Sequence, residues 1–252
     1  MTDRPHSFEE LTDRMERLLK PLEEARDPRR LFLATYLRTT YAVRDRVRRA
    51  EFRDTVWVER WDIVFADIYL QALTDWNETG TTSKPWTVAF SLTEGPRIPP
   101  LRHVLLGMNA HVNYDLPQSL LAVITDDEFD DATLIERRNA DHTMIDAILA
   151  SRVAAEDGEL KRVEEPGDRT FLDHLMTPFN RLGTKRFLRE GREKVWRNAV
   201  LLSAARRAGP EQYAARLAQL EELSAQRVAD LRAPGQVLVR LARDGFGVSL
   251  PD

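Results

Sequence analysis

The chain contains no cysteine. Disulfides, thiolate nucleophiles and cysteine-ligated metals are therefore excluded. Glycine is scarce at 11 residues, and proline supplies 13. No glycine-rich phosphate loop, dinucleotide fingerprint or G-x-S-x-G elbow occurs, so the activities that rest on those motifs are not expected. There is no His-Glu-x-x-His and no pair of Glu-x-x-His motifs, which argues against a standard di-iron bundle. No apolar run approaches the roughly 18 residues of a membrane span. No sign of charge dominates either, since 37 basic residues against 41 acidic ones leave a net charge of -4. That balance offers no general field for nucleic acid or an anionic membrane, although Arg44 to Arg53 is a local basic stretch. The first ten residues are polar and acidic without an apolar core, unlike a secretory signal. The expected setting is the cytoplasm, and the expected partner a small-molecule substrate or ligand.

What is present is an ordinary globular composition, 42% hydrophobic and 31% charged over 252 residues. Long stretches between the glycines and prolines read at helical period, which predicts an all-α, bundle-like single domain of about nine or ten helices. The domain is expected to span 1–252, with 1–6 as a disordered tail and 156–170 as a charged linker between helices. Ser7 and Glu10 spell a capping box that opens a first helix, which Pro21 limits or kinks. Pro28 opens a second, and a third runs from about Asp54 to Trp76. Asn77 to Pro100 reads as the least helical part, with a short strand-like alternation at Thr87 to Ser91. A helix over Leu101 to Tyr114 follows, then a short one that Pro117 starts and that ends near Thr125. The acids Asp126 to Asp131 are read as the cap of a helix reaching Ala155. Two long helices, Lys185 to Ala208 and Pro210 to Leu231, and a short one after Pro234 complete the chain.

One segment differs from a surface helix. His103, Gly107, His111 and Asp115 recur at four-residue spacing and form a slowly drifting stripe. Asn109 and Asn113 form a second polar row. Val104, Leu105, Leu106, Met108 and Val112 fill the remaining faces, and no Lys, Arg or Glu interrupts them. A helix that is apolar on most sides is buried, and its polar groups must be paired or must bind something. His111 and Asp115, one turn apart, can share a divalent cation, and His103 can join them if the helix bends. Gly107 between the histidines lets a substrate or another backbone approach. A second reading of Asp115 stands beside this one, as the cap of the helix that Pro117 begins.

Partners are expected on other helices. Arg138 and Asp141 fall on the apolar face of Leu134, Met144, Ile145 and Ile148, with His142 at its border. They form either an internal Arg138–Asp141 ion pair or a face on which Asp141 or His142 meets His111. Trp57, Trp61, Phe65 and Tyr69 form a four-residue stripe with Asp62 at its edge, and such stripes are more often core than ligand box. Trp86 and Phe90 can line or cover a pocket. Arg192, on the face of Val195 and Trp196, reads as a structural ion-pair partner before a ligand anchor. His6 and His174 lack support for a role.

The run His103-Val-Leu-Leu-Gly-Met-Asn-Ala-His-Val-Asn-Tyr-Asp-Leu-Pro117 resembles the signature of a bacterial family catalogued as a domain of unknown function. The helix around Trp61, Phe65 and Tyr69, the stretch Arg138 to His142 and the Trp196 helix resemble it too, from about Arg29 to Ala205. That resemblance implies a shared fold and supplies no activity. A weaker similarity is to the all-helical zinc-dependent phospholipase C and nuclease family, which uses helical His-x-x-x-Asp pairs with a proline shortly after. His111 to Asp115 with Pro117 looks like one such pair. The proline comes two positions early, Leu121 stands where a further His belongs, and Met1-Thr2 lacks the N-terminal Trp. Full trinuclear zinc chemistry is therefore not implied.

These readings converge on a small-molecule enzyme. Its catalytic candidates are His111, Asp115, His103, Asp141 and His142. A divalent metal would sit at His111, Asp115 and His103, and the substrate pocket would use Trp61, Asp62, Tyr69, Asn109, Asn113 and Arg138. The chemistry is either metal-assisted hydrolysis or metal-free acid–base work such as cyclisation or dehydration. The alternative is a non-catalytic ligand-binding or scaffold protein whose polar helix is a structural hydrogen-bond network.

Overall fold

Apolar residues spaced three and four apart give this chain helices with one buried face each, and those faces close on a central helix. The computed structural model describes residues 4–91, 98, 100–160, 178–232 and 245–252. Its helices are α1 (Phe8–Glu24), α2 (Arg30–Arg48), α3 (Thr55–Thr79), α4 (Lys84–Phe90), α5 (Pro100–Ala110), a π-helical turn (His111–Asp115), α6 (Leu116–Val123), α7 (Asp126–Phe129), α8 (Ala132–Leu160), α9 (Pro178–Ala208) and α10 (Pro210–Arg232). With α5, the π turn and α6 counted as one run, nine helical segments and no strand occur among the described residues. The all-α reading holds. None of the helices there is long and apolar enough to cross a membrane. The predicted linker lies inside α8 as far as residue 160, and the rest of it, with His174 and the helix after Pro234, falls outside the described residues.

The run α5–π–α6 is the centre, with α2, α3, α4, α9 and α10 packed around it. Pro117 does not restart the chain. A proline inside a helix lacks an N–H and crowds the carbonyl four residues back, here Asn113. The π turn widens the register at that point, and the Leu116 N–H donates to the His111 carbonyl five residues back. The helix thus passes through the proline without breaking. Pro21 is likewise inside α1.

Several local expectations change. Thr87 to Ser91 is not a strand, because α4 occupies Lys84–Phe90 with Pro85 in its first turn. Asp131, the last of the acidic run, does cap α8, its carboxylate accepting the Thr133 and Leu134 N–H groups at 3.0 and 3.1 Å, while the acids before it form the separate short α7, which Thr125 and Glu128 cap through reciprocal side-chain bonds. Part of the supposed N-terminal tail is tied down, with Arg4 paired to Asp67 at 2.9 Å and Pro5 buried.

The C-terminal residues 245–252 run as an irregular strap across α5, the π turn and α9. Asparagine side chains hold its backbone much as a neighbouring strand would. Asn109 and Asn113 Nδ2 both donate to the Phe246 carbonyl at 3.1 Å, and Asn113 Oδ1 accepts from the Val248 N–H at 3.0 Å. Asn198 donates to the Val248 carbonyl and accepts from the Leu250 N–H, each at 2.9 Å. Gly247 lets the strap lie directly on α9, where an added Cβ would meet the Gly191 Cα at 3.2 Å.

Gly107 serves neither a ligand nor a backbone. The Phe32 ring of α2 fills the space over it, and a Cβ there would lie 2.5 Å from that ring. Overpacking of this kind costs about 1–3 kcal/mol. Gly107→Ala is expected to lower stability in urea unfolding by about that amount. Adding Phe32→Leu should recover part of the loss.

Candidate functional site

The π turn puts His111 and Asp115 on one buried face, where their side chains bond directly. His111 Nδ1 lies 2.9 Å from Asp115 Oδ2, and the same oxygen accepts the Trp86 indole N–H of α4 at 2.9 Å. Asp115 is fully buried and His111 is 4% exposed. With Trp86 already donating to it, Asp115 acts as the acceptor of a second proton. The hydrogen-bond pattern therefore assigns the Nδ1–H tautomer to His111. Its Nε2 then carries a bare lone pair, and that atom has no protein partner. Burial holds the imidazole below its ordinary range and pushes the carboxyl above its own, with their mutual hydrogen bond opposing both shifts.

Aromatic rings enclose the imidazole. Phe65 stacks on it in parallel, with centroids 3.6 Å apart and planes 5° from coplanar. Tyr36 stands at 4.7 Å, Phe32 and Tyr69 at 5.9 Å, and Trp86 at 6.2 Å. The Tyr36 and Tyr69 hydroxyls, Asp62 Oδ2 and Asp115 Oδ1 are buried and also lack a protein partner. Burial raises both phenols, and the carboxylates of Asp62 and Asp115 add to the rise at Tyr36. Desolvation alone lifts Asp62 to about 7. With the imidazole's own Nε2, these hydroxyl and carboxylate oxygens make five unpartnered atoms, four at the pair and its two tyrosines and one on Asp62, which acts on Tyr36; that is unusual, since most buried polar groups are satisfied.

Asp115 does not act as a cap for α6, because its carboxylate makes no capping bond and its own backbone is helical, inside the continuous run. His103 does not join the pair. It lies half-buried within the fields of Asp27 and Arg30, and burial lowers it to about 4. Among the described residues no group of three or more His, Asp or Glu is placed to hold a metal ion.

Asp141 belongs to a different structure. Its two oxygens accept the backbone N–H groups of Arg53 and Asp54 at 2.7 and 3.0 Å, fixing the turn before α3. Arg138 pairs with Asp54 at 2.5 Å instead of with Asp141, and its guanidinium lies 4.6 Å over the Trp57 ring. Both sequence readings of that face are therefore corrected. Asp54 in turn caps α3 through the Trp57 N–H at 3.0 Å. His142 accepts the Trp196 indole N–H on Nδ1 at 3.0 Å and sets its ring against Trp61 at 5.0 Å. Burial and the charge of Arg192 depress it to about 3.

Of the predicted pocket residues, Tyr69 stands by the pair, and Asp62 acts on Tyr36 through its charge. Asn109 and Asn113 hold the strap, and Trp61 donates to Ser119 at 3.0 Å within the core. Trp57, Trp61, Phe65 and His111 form a continuous column of rings, with steps of 4.9, 6.4 and 3.6 Å. The sequence reading missed Phe32 and Tyr36. Their only signal was one-turn spacing on a core-facing helix, which every core residue shares.

A family model described as a family of unknown function (DUF5995) matches residues 8–234, more of the chain than the expected Arg29 to Ala205. No curated protein and no solved structure matches the chain.

Because burial lifts the Asp62 carboxyl to about 7 in the folded chain from the ordinary 3.8 that it has when unfolded, its contribution has a defined sign. Stability from this group is complete below 3.8 and is lost as pH rises to about 7. Asp62→Asn should therefore gain stability over wild type progressively across that window, with a flat difference above it. A pH-independent difference would show that Asp62 does not titrate there.

Proposed function

The chain belongs to the family of unknown function DUF5995, which brings no activity with it, and from the geometry around His111 we propose a small-molecule enzyme that works by general acid–base chemistry. The observation that carries this reading is the unpartnered Nε2 of a histidine whose Nδ1 is held by a buried carboxylate. That arrangement makes Nε2 a base with a fixed direction, and it lets Asp115 stabilise the imidazolium that proton transfer creates. The Trp86 N–H keeps Asp115 in place while the charge moves.

In a dehydration, Nε2 takes a proton from substrate, and the imidazolium returns it to the departing hydroxyl, which leaves as water. In a cyclisation, Nε2 deprotonates the attacking group and returns the proton to the atom attacked. The Tyr36 and Tyr69 hydroxyls and Asp62, neutral below about 7, are donors that developing negative charge on the substrate can use. The rings packed around the imidazole would favour a planar, largely apolar substrate, which these side chains must part to admit. We favour this chemistry over metal-assisted hydrolysis because one atom of each, His111 Nδ1 and Asp115 Oδ2, is held in their mutual hydrogen bond, and no third His, Asp or Glu among the described residues is placed to complete a metal site with them.

The scaffold reading draws support from Asn109, Asn113, Asp141 and His142, all of which are used in internal hydrogen bonds. It leaves the unpartnered atoms around His111 without a purpose. A structural network would pair them, whereas functional sites commonly keep groups that lower stability.

Two measurements follow. Incubating the protein with a mixed metabolite extract, followed by mass spectrometry, should reveal a compound converted without mass change or with loss of water. His111→Gln and Asp115→Asn should each slow that conversion by about a hundredfold or more, the range of general-base catalysis, and chelator should have no effect. Full activity in His111→Gln would end this reading, and abolition by chelator would replace it with the metal-assisted one. Tyr69→Phe removes a buried hydroxyl without a partner, so it should raise stability by about 1 kcal/mol in thermal unfolding. A loss of that size would instead place the hydroxyl in a structural network.

A further inference from the structure

A second site lies at the surface where α3 begins. A cavity of about 820 Å³ opens there between the start of α3, the end of α6 and the α7 region. Its polar groups sort into two sets. Each acidic side chain has a partner in the protein. Asp54 takes Arg138 and the Trp57 backbone N–H. Asp126 takes Arg206 at 2.6 Å and Ser203 at 2.6 Å. Glu128 accepts from Thr125 within its own cap.

The donors are not all engaged. Trp57 and Arg138 line the cavity and are 5% and 8% exposed. The indole Nε1–H of Trp57 and the Nε–H of Arg138 have no acceptor in the protein. Arg60, also in the lining, is exposed. The excess is therefore of donors, two of them buried, where an unmet hydrogen bond costs most. The cavity also sits at the N-terminus of a 25-residue helix, whose dipole favours negative charge.

The rest of the lining is apolar. Leu121, Val123 and Ile124 come from the end of α6 and its exit. Val56 is 77% exposed, beside the charged groups. A bare inorganic anion would leave these surfaces wet.

We propose that this cavity binds a small organic carboxylate with an apolar body. Its carboxylate oxygens accept from Trp57 Nε1, Arg138 Nε and Arg60, and its hydrocarbon covers Val56 and the end of α6. The site is separate from His111, which lies at the far end of the ring column, and it does not depend on the acid–base reading.

Calorimetric titration with octanoate, benzoate and inorganic phosphate tests the proposal. Octanoate or benzoate should bind saturably at one site, and phosphate should not. Trp57→Phe keeps the stacked ring and removes only the N–H, and Arg60→Gln changes an exposed residue. Each should weaken binding about tenfold, as loss of a charge-assisted hydrogen bond does. Three results would overturn it: no saturable binding of either carboxylate, phosphate binding without carboxylate binding, or carboxylate affinity unchanged in both variants.

Discussion

The centre of this protein depends on keeping one carboxylate, that of Asp115, out of water. A buried carboxylate is costly unless hydrogen bonds satisfy it. Trp86 and His111 supply two bonds to one of its oxygens. These bonds tie α4 to the central helix and fix the plane of the imidazole. The π turn belongs to the same arrangement, since it carries the helix through Pro117 while His111 and Asp115 stay on one face. Phe32 then occupies the space that Gly107 leaves, and Phe65 stacks on the imidazole.

The polar residues of the interior divide by what they hold. Asn109, Asn113 and Asn198 bind backbone, substituting side-chain amides for a partner strand along residues 245–252. Asp141 also binds backbone, at the turn that starts α3. His142 accepts from an indole and has its ring against another. Apart from Asn109 Oδ1, which has no partner, these groups are paired, and paired buried groups fix a fold. Around His111 the protein instead leaves several buried atoms without partners close together, among them its own Nε2 and the Tyr36 and Tyr69 hydroxyls.

Much of this was legible in the sequence, and the limits have physical reasons. Helical period gave the long helices, and the absence of charge between His103 and Asp115 marked the central buried one. The stripe placed His111 against Asp115, because four residues is a local distance. Asp141 and the asparagines were misassigned because their partners are backbone groups far along the chain, which no side-chain pattern announces. The helix at Lys84–Phe90 was misread because short apolar runs do not distinguish strand from helix. Tyr36 and Phe32 reach the site from a helix whose pattern says only that it faces a core.

The account rests on the protonation of one imidazole. Nitrogen NMR of histidine-labelled protein at neutral pH, with His111 assigned from a His111→Gln variant, reads it directly. The prediction is a neutral ring with the proton on Nδ1 and a bare Nε2, a tautomer that is no longer fixed in Asp115→Ala, which removes the acceptor of the Nδ1–H. A ring protonated on Nε2 in the wild type would contradict the account, because the base it describes would not exist.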